Sequence, residues 1–205
     1  MGIYSRLILP RIVDLACRQR PLMRQRGKIV PKASGIVLDL GFGTGRNLDF
    51  YDPDRVDRIW ALDPSVEMWE LASEAVDASP LQIEYLEAPG EAIPLDDDSI
   101  DSVVVTYSLC TIPDPHRALE EASRVMKRDG RLFFCEHGKA PDLRIRQWQS
   151  RLNPIWKRLG GGCHLDRPIP SIVENSGFES EQIESMYIPG WKPASYNYWG
   201  TARPA

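Results

Sequence analysis

Asp39, Gly41, Gly43 and Gly45 fall at alternate positions behind the apolar run Ile36-Val37-Leu38, with Leu40 set between them. A buried parallel strand reads as a short run of this kind. Glycines directly after it let the backbone take φ > 0 and come close to a ligand. A strand-to-helix turn built this way exposes backbone N–H groups, which suit the polar, carboxylate-bearing end of a nucleoside-type ligand. Asp63 closes a second apolar run, Ile59-Trp60-Ala61-Leu62, 18 residues beyond Gly45. A carboxylate there can accept both hydroxyls of a ribose.

The side chains able to move a proton are His137, Tyr107 and Glu136, each at the carboxyl end of a strand, where open α/β sheets bind ligands. His164 and Asp166 stand in a glycine-rich loop that can close over a substrate. Three of them have a plainer reading: His137 as a structural histidine, His164 and Asp166 as partners within their own loop. Cys110 reads as a small packing residue. The four cysteines, Cys17, Cys110, Cys135 and Cys163, show no C-x-x-C spacing and read as reduced thiols. Cys163-His164 beside Asp166 lacks a second ligand pair, so no metal site is expected.

Strands alternating with helices hold these residues. Arg58–Asp63 and Leu81–Leu86 read as the second and third strands, and Ser99–Ser108 gives an acidic turn and a fourth. Arg131–His137 is the fifth, and two more are expected around 178–187 and 196–203. Helices are expected after Pro64-Ser65, over Ala118–Met126, over roughly 142–159 and near 170–176, with Lys127-Arg128-Asp129-Gly130 as a helix stop. The alternation predicts an α/β fold, a doubly wound, mostly parallel sheet. At 205 residues and 23.2 kDa, with 42% hydrophobic and 26% charged residues, the chain reads as one globular domain.

The dinucleotide fingerprint G-x-G-x-x-G is broken, because Arg46 occupies the third glycine position. The pattern Asp39-x-Gly41-x-Gly43-x-Gly45 instead resembles the first motif of the class I S-adenosylmethionine-dependent methyltransferases. Pro89-Gly90-Glu91-Ala92-Ile93-Pro94-Leu95 resembles that family's adenine loop, with Pro89 where an Asp is usual. Ser108-Leu109-Cys110-Thr111-Ile112-Pro113-Asp114-Pro115, Cys135-Glu136-His137 and Gly161-Gly162-Cys163-His164-Leu165-Asp166-Arg167 are similar to the quinone C-, phospholipid N- and thiol S-methyltransferase branch. The resemblance spans essentially the whole chain and implies a Rossmann-like sheet of seven strands with one antiparallel.

It also implies S-adenosylmethionine as cofactor, held by Asp39, Gly41, Gly43, Gly45, Asn47, Asp63, Pro64, Met68, Gly90, Glu91, Ala92 and Thr106. Residues 1–33 would form a helical lid, 34–137 the cofactor-binding core, and 138–205 the substrate-side helix and last two strands. The acceptor would be a small or lipid-like molecule, a thiol needing least help because thiolates form near neutral pH. The alternatives are an NAD-dependent oxidoreductase, disfavoured by Arg46, and a non-catalytic S-adenosylmethionine-binding module.

Charge is unevenly spread. Residues 6–32 carry eight Lys or Arg and one acid, residues 49–121 carry nineteen acids and three bases, and residues 124–167 carry eleven bases and four acids. The net charge of −4 disfavours nucleic acid. In the related fold both basic segments lie over the cleft mouth, where they would draw an anionic substrate or bilayer surface. Ile3, Leu7, Ile8, Ile12, Leu15 and Ala16 recur near helical spacing, which predicts a lid or, at most, peripheral membrane contact. No signal peptide or spanning stretch is read, so the expected location is cytoplasmic.

Overall fold

Val37, Leu38, Asp39 and Leu40 are all buried, as a strand covered on both faces requires. They belong to a computed structural model that describes residues 8–205. Ile3 and Leu7 of the amphipathic pattern lie outside the described residues. Seven strands, β1 (Gly35–Leu40), β2 (Val56–Leu62), β3 (Ile83–Leu86), β4 (Ile100–Thr106), β5 (Met126–His137), β6 (Phe178–Tyr187) and β7 (Tyr196–Pro204), form one sheet ordered β3-β2-β1-β4-β5-β7-β6. Only β7 runs against its neighbours, pairing antiparallel with both β5 and β6.

Six α-helices among the described residues cover the sheet: α1 (Leu9–Cys17), α2 (Arg20–Arg26), α3 (Val66–Ala78), α4 (Pro115–Val125), α5 (Leu143–Leu159) and α6 (Ile169–Glu174). Their starts follow from capping. The Ser65 hydroxyl accepts the Met68 N–H at the head of α3, and the Asp114 carboxylate accepts the Arg117 N–H at the head of α4. Two apolar layers result, one including Leu40, Val103, Val105, Leu119 and Phe134, the other Val37, Ile59, Val104 and Phe133. Alternate residues of one strand thus feed opposite faces. No helix among the described residues is long and apolar enough to cross a membrane.

Strand order reverses between β1 and β4, both of which grow outward from the centre of the sheet. The crevice beyond their carboxyl ends is where such a sheet binds ligands. Two local expectations change. The tetrapeptide 127–130 does not only stop a helix. It opens β5, which starts at Met126 and reaches its main register with β4 after a shift between Ile100 and Ser102. No α-helix follows the glycine turn either: successive turns lead to a 3₁₀ turn, Leu48–Phe50.

Candidate active site

The glycine turn is short of free donors. Gly41 and Phe42 N–H groups donate to the Leu62 carbonyl at 2.9 and 3.0 Å, and Gly43 N–H donates to Asp63 Oδ2 at 2.8 Å. The turn is thus pinned to the end of β2, and its backbone serves as a shaped wall more than as a nest of open N–H groups. Gly41, at φ +77°, has no room for a Cβ, which would overlap the Ser108 hydroxyl. Ser108 Oγ in turn donates to the Gly41 carbonyl at 3.1 Å. The loops after β1 and β4 are locked together at the reversal point.

A buried polar network stands behind this wall. Asp39 is fully buried, its carboxylate receiving Asn47 Nδ2 at 3.0 and 2.9 Å and the Tyr51 hydroxyl at 2.9 Å. Burial pushes its carboxyl up to about 6 against the pull of those two donors and of Arg26. Arg26, only 5% exposed, donates to Asn47 Oδ1 at 2.7 Å and to the Thr106 hydroxyl, and its guanidinium lies 5.1 Å from the Tyr107 ring centre. Its Nε has no partner among the described residues.

A cleft of about 860 Å³ opens here, lined by Gly41, Gly43, Asp63, Pro64, Met68, Gly90, Glu91, Thr106, Tyr107 and Arg26. That volume is in the range of small-ligand sites. Asp63 keeps its Oδ1 on the Ser65 N–H at 2.9 Å, and burial raises its carboxyl above the ordinary value. Each carboxylate oxygen retains a further lone pair for a ligand hydroxyl. Asp39, Gly45, Asn47 and Ala92 do not line the cleft. Asp39, expected beside a ligand ammonium, supports Asn47 and Tyr51 from behind, and Glu91 Oε1 also accepts the Asp114 N–H at 3.1 Å.

A second, largely apolar cavity of about 580 Å³ adjoins the first, and Leu9, Val13, Cys17, Tyr107, Thr111 and Gly160 line both. Tyr107 holds this partition in the left-handed region, φ +54°, with its hydroxyl donating to Asn197 Oδ1 at 2.7 Å. Such a conformation costs on the order of 1–3 kcal/mol for a non-glycine residue and persists where surrounding structure fixes it. Burial raises the Tyr107 phenol well above its ordinary value, so it is a poor proton acceptor.

The remaining acid-base candidates separate. His137 lines the second cavity, and its Nε2 lies 3.2 Å from Cys163 Sγ. Glu136 lines neither cavity. Its Oε1 accepts the Ser108 and Leu109 N–H groups at 2.6 and 2.9 Å, and it shapes the loop after β4. His164 and Asp166 also line neither cavity. His164 donates its backbone N–H to the Cys110 carbonyl at 2.8 Å, and Asp166 Oδ1 accepts from Asn153 at 2.8 Å. Arg26 escaped the sequence because nothing in its spacing separates it from the exposed Arg18, Arg20 and Arg24 nearby.

Sequence and structure comparisons point the same way. Residues 38–134 match the model of the methyltransferase domain family. Human thiol S-methyltransferase TMT1B is 37% identical over 177 residues, covering 83% of this chain and 72% of that protein. Its rat counterpart is 36% identical over 171 residues, covering 81% and 69%. A solved S-adenosylmethionine-dependent methyltransferase from Methanosarcina mazei shares the fold with a TM-score of 0.67 at 19% identity, covering 82% of this chain and 92% of that one. These matches set aside the oxidoreductase reading that the broken glycine fingerprint already disfavoured. With the reversal-point cleft, they establish that the chain belongs to the class I S-adenosylmethionine-dependent methyltransferases.

Proposed function

We propose that this methyltransferase acts on the sulfur of a small, apolar thiol held in the second cavity. The observation that carries this reading is the partition at Tyr107 and Thr111, which belongs to both cavities and brings an apolar chamber against the cofactor cleft. The thiol S-methyltransferase relatives support sulfur as the acceptor atom.

The cleft suits the cofactor. Arg26, which lines the cleft, offers a buried cation to the methionine carboxylate, Asp63 offers acceptors to the ribose, and Gly90 and Glu91 flank the adenine end. When bound, S-adenosylmethionine supplies a methyl group already made electrophilic by its sulfonium. The protein's share is orientation and exclusion of water, and orientation alone can contribute about 7–11 kcal/mol to a bimolecular step. Leu9 of α1 packs on Gly161, where a Cβ would come within 2.7 Å of it, so the N-terminal helix roofs both cavities. A thiol, with an ordinary pKa of about 8.5, offers a few per cent of thiolate near neutral pH without a dedicated base.

The cavity mouth supports an apolar acceptor delivered along a lipid surface. Ile12, Leu159 and Trp191 line the second cavity and are exposed, as are Ile8, the N-cap of α1, and Leu15 at helical spacing from Ile12, with the exposed Arg11, Arg18 and Arg20 close by in sequence. Apolar residues flanked by basic ones favour an anionic membrane interface. Sedimentation with vesicles containing anionic lipid checks this, and binding that does not fall with added salt would contradict it. The acceptor is tested with methyl-labelled S-adenosylmethionine and a panel of small thiols, phenols, amines and phospholipids. Labelled thioether is expected, and label confined to phenols, amines or phospholipids would overturn the thiol reading.

A further inference from the structure

Cys110, His137 and Cys163 come from three separate element ends: the turn after β4, the last residue of β5 and the loop after α5. Each offers one ligand atom, and the three atoms lie within 4.8 Å of one another. The His164 N–H bond to the Cys110 carbonyl at 2.8 Å ties two of these segments together, while His137 is fixed by its register opposite Asn197. All three residues line the second cavity.

We propose that Cys110, His137 and Cys163 form a zinc site whose fourth position, open to the second cavity, takes the sulfur of the acceptor. This rests on the thiol reading above. The donor set is two sulfurs and one imidazole with no carboxylate among them, a combination that suits zinc over magnesium or calcium. Three protein ligands leave a place for substrate, as catalytic zinc sites do. Zinc–sulfur and zinc–nitrogen bonds of about 2.3 and 2.0 Å put tetrahedral ligand atoms roughly 3.5–3.8 Å apart, within small side-chain adjustments of the present cluster.

The surroundings orient the ligands. The Trp156 indole N–H donates to Cys163 Sγ at 3.3 Å, and the Thr111 hydroxyl lies 3.5 Å from Cys110 Sγ. Both can donate to a ligating thiolate, the kind of support that metal ligands use. The balance is simple. Cys110 and Cys163 each release a proton to solvent as the dication binds, so the occupied site is neutral and can stay buried. An entering thiol releases its own proton to solvent and remains as a thiolate, the form methyl transfer consumes.

The test uses the full chain, reduced and freed of metal by chelator, and titrated with Co²⁺ and then Zn²⁺. One equivalent of cobalt giving a thiolate charge-transfer band, displaced by zinc, is expected. Cys110→Ser and Cys163→Ser should each abolish the band while S-adenosylmethionine binding, which reports folding, persists. Trp156→Phe should weaken zinc about 10–100-fold. A missing band, or one that survives both serine variants, overturns the site.

Alkylation of unmodified chain needs no variant: zinc should protect Cys110 and Cys163 and leave Cys17 as reactive as before. Equal labelling with and without zinc overturns the site as well. None of these readouts involves an acceptor, so they stand apart from the thiol assay. Undiminished thiol methylation by zinc-free enzyme would overturn the activating role and leave the thiol reading in place.

Discussion

The two cavities are built from different kinds of sequence. The larger cleft is lined mainly by short contiguous runs at strand ends, residues 40–44, 62–65, 89–91 and 106–108, joined by Leu9, Arg26 and Gly160 from elsewhere in the chain. The second cavity gathers Cys110, His137, Cys163, Trp191 and Ser195 as single residues from element ends and loops far apart in sequence. The cleft is thus set more by local sequence runs, and the second cavity by the packing of distant loops.

The largest expected effect lies in the cleft. Gly41→Ala should destabilise the fold by about 2–6 kcal/mol, adding left-handed strain to an overlap with Ser108. Chemical denaturation measures it, and Gly41→Ala with Ser108→Gly should recover part of the loss. A double variant no better than the single one would show that the two loops are not locked as described.

Asp39 gives a pH signature to the same half. Its folded pKa, raised to about 6, exceeds the unfolded value of 3.8. Its contribution to stability is therefore fully present below pH 3.8 and is lost as pH rises through about 6. Relative to Asp39→Asn, the wild-type chain should lose about 3 kcal/mol over that window, from a shift of roughly two pH units. Denaturation curves at several pH values report it, and a difference that stays flat would remove the buried ionisable network from the account.

Asp63→Ala should weaken S-adenosylmethionine binding about 10–100-fold by calorimetry, the loss of charged hydrogen bonds worth roughly 1.5–3 kcal/mol. It should leave Co²⁺ binding at the cysteine–histidine cluster unchanged. Weakening of both would mean that the two halves are coupled. The smallest effect is expected at the partition. Tyr107→Phe removes one hydrogen bond to Asn197, so it should lower stability by about 1 kcal/mol and raise the acceptor KM with little change in cofactor affinity. A loss of cofactor affinity larger than the KM effect would contradict the assignment of chambers.

How far the sequence could be read follows the same division. The buried run of β1, the turn of alternating glycines and the acid ending β2 announce themselves by local pattern, and β6 was expected over the residues it occupies, 178–187. Burial by distant partners leaves no such mark. Asp39 reads as a ligand-facing acid but is enclosed by Asn47 and Tyr51. Arg26 reads as one more exposed base, yet it is buried against Thr106. The spacing around Cys163-His164 gives no sign of the cysteine–histidine cluster, because its other members are distant in the chain. The actual neighbours, Cys110 and His137, arrive through the packing of β4, β5 and the loop after α5. The start of β5 is hidden in the sequence because Lys127–Gly130 carries helix-ending residues, whereas the pairing of Met126 with Ile100 draws the strand further back.

The most direct measurement is a crystal structure of the chain with S-adenosylhomocysteine and a small thiol bound together. Density for the nucleoside between the Gly41 loop and Asp63, and for the thiol sulfur beyond Tyr107 beside Cys110 and His137, is the predicted result. A thiol bound outside the second cavity, or a nucleoside bound away from Asp63, would contradict it.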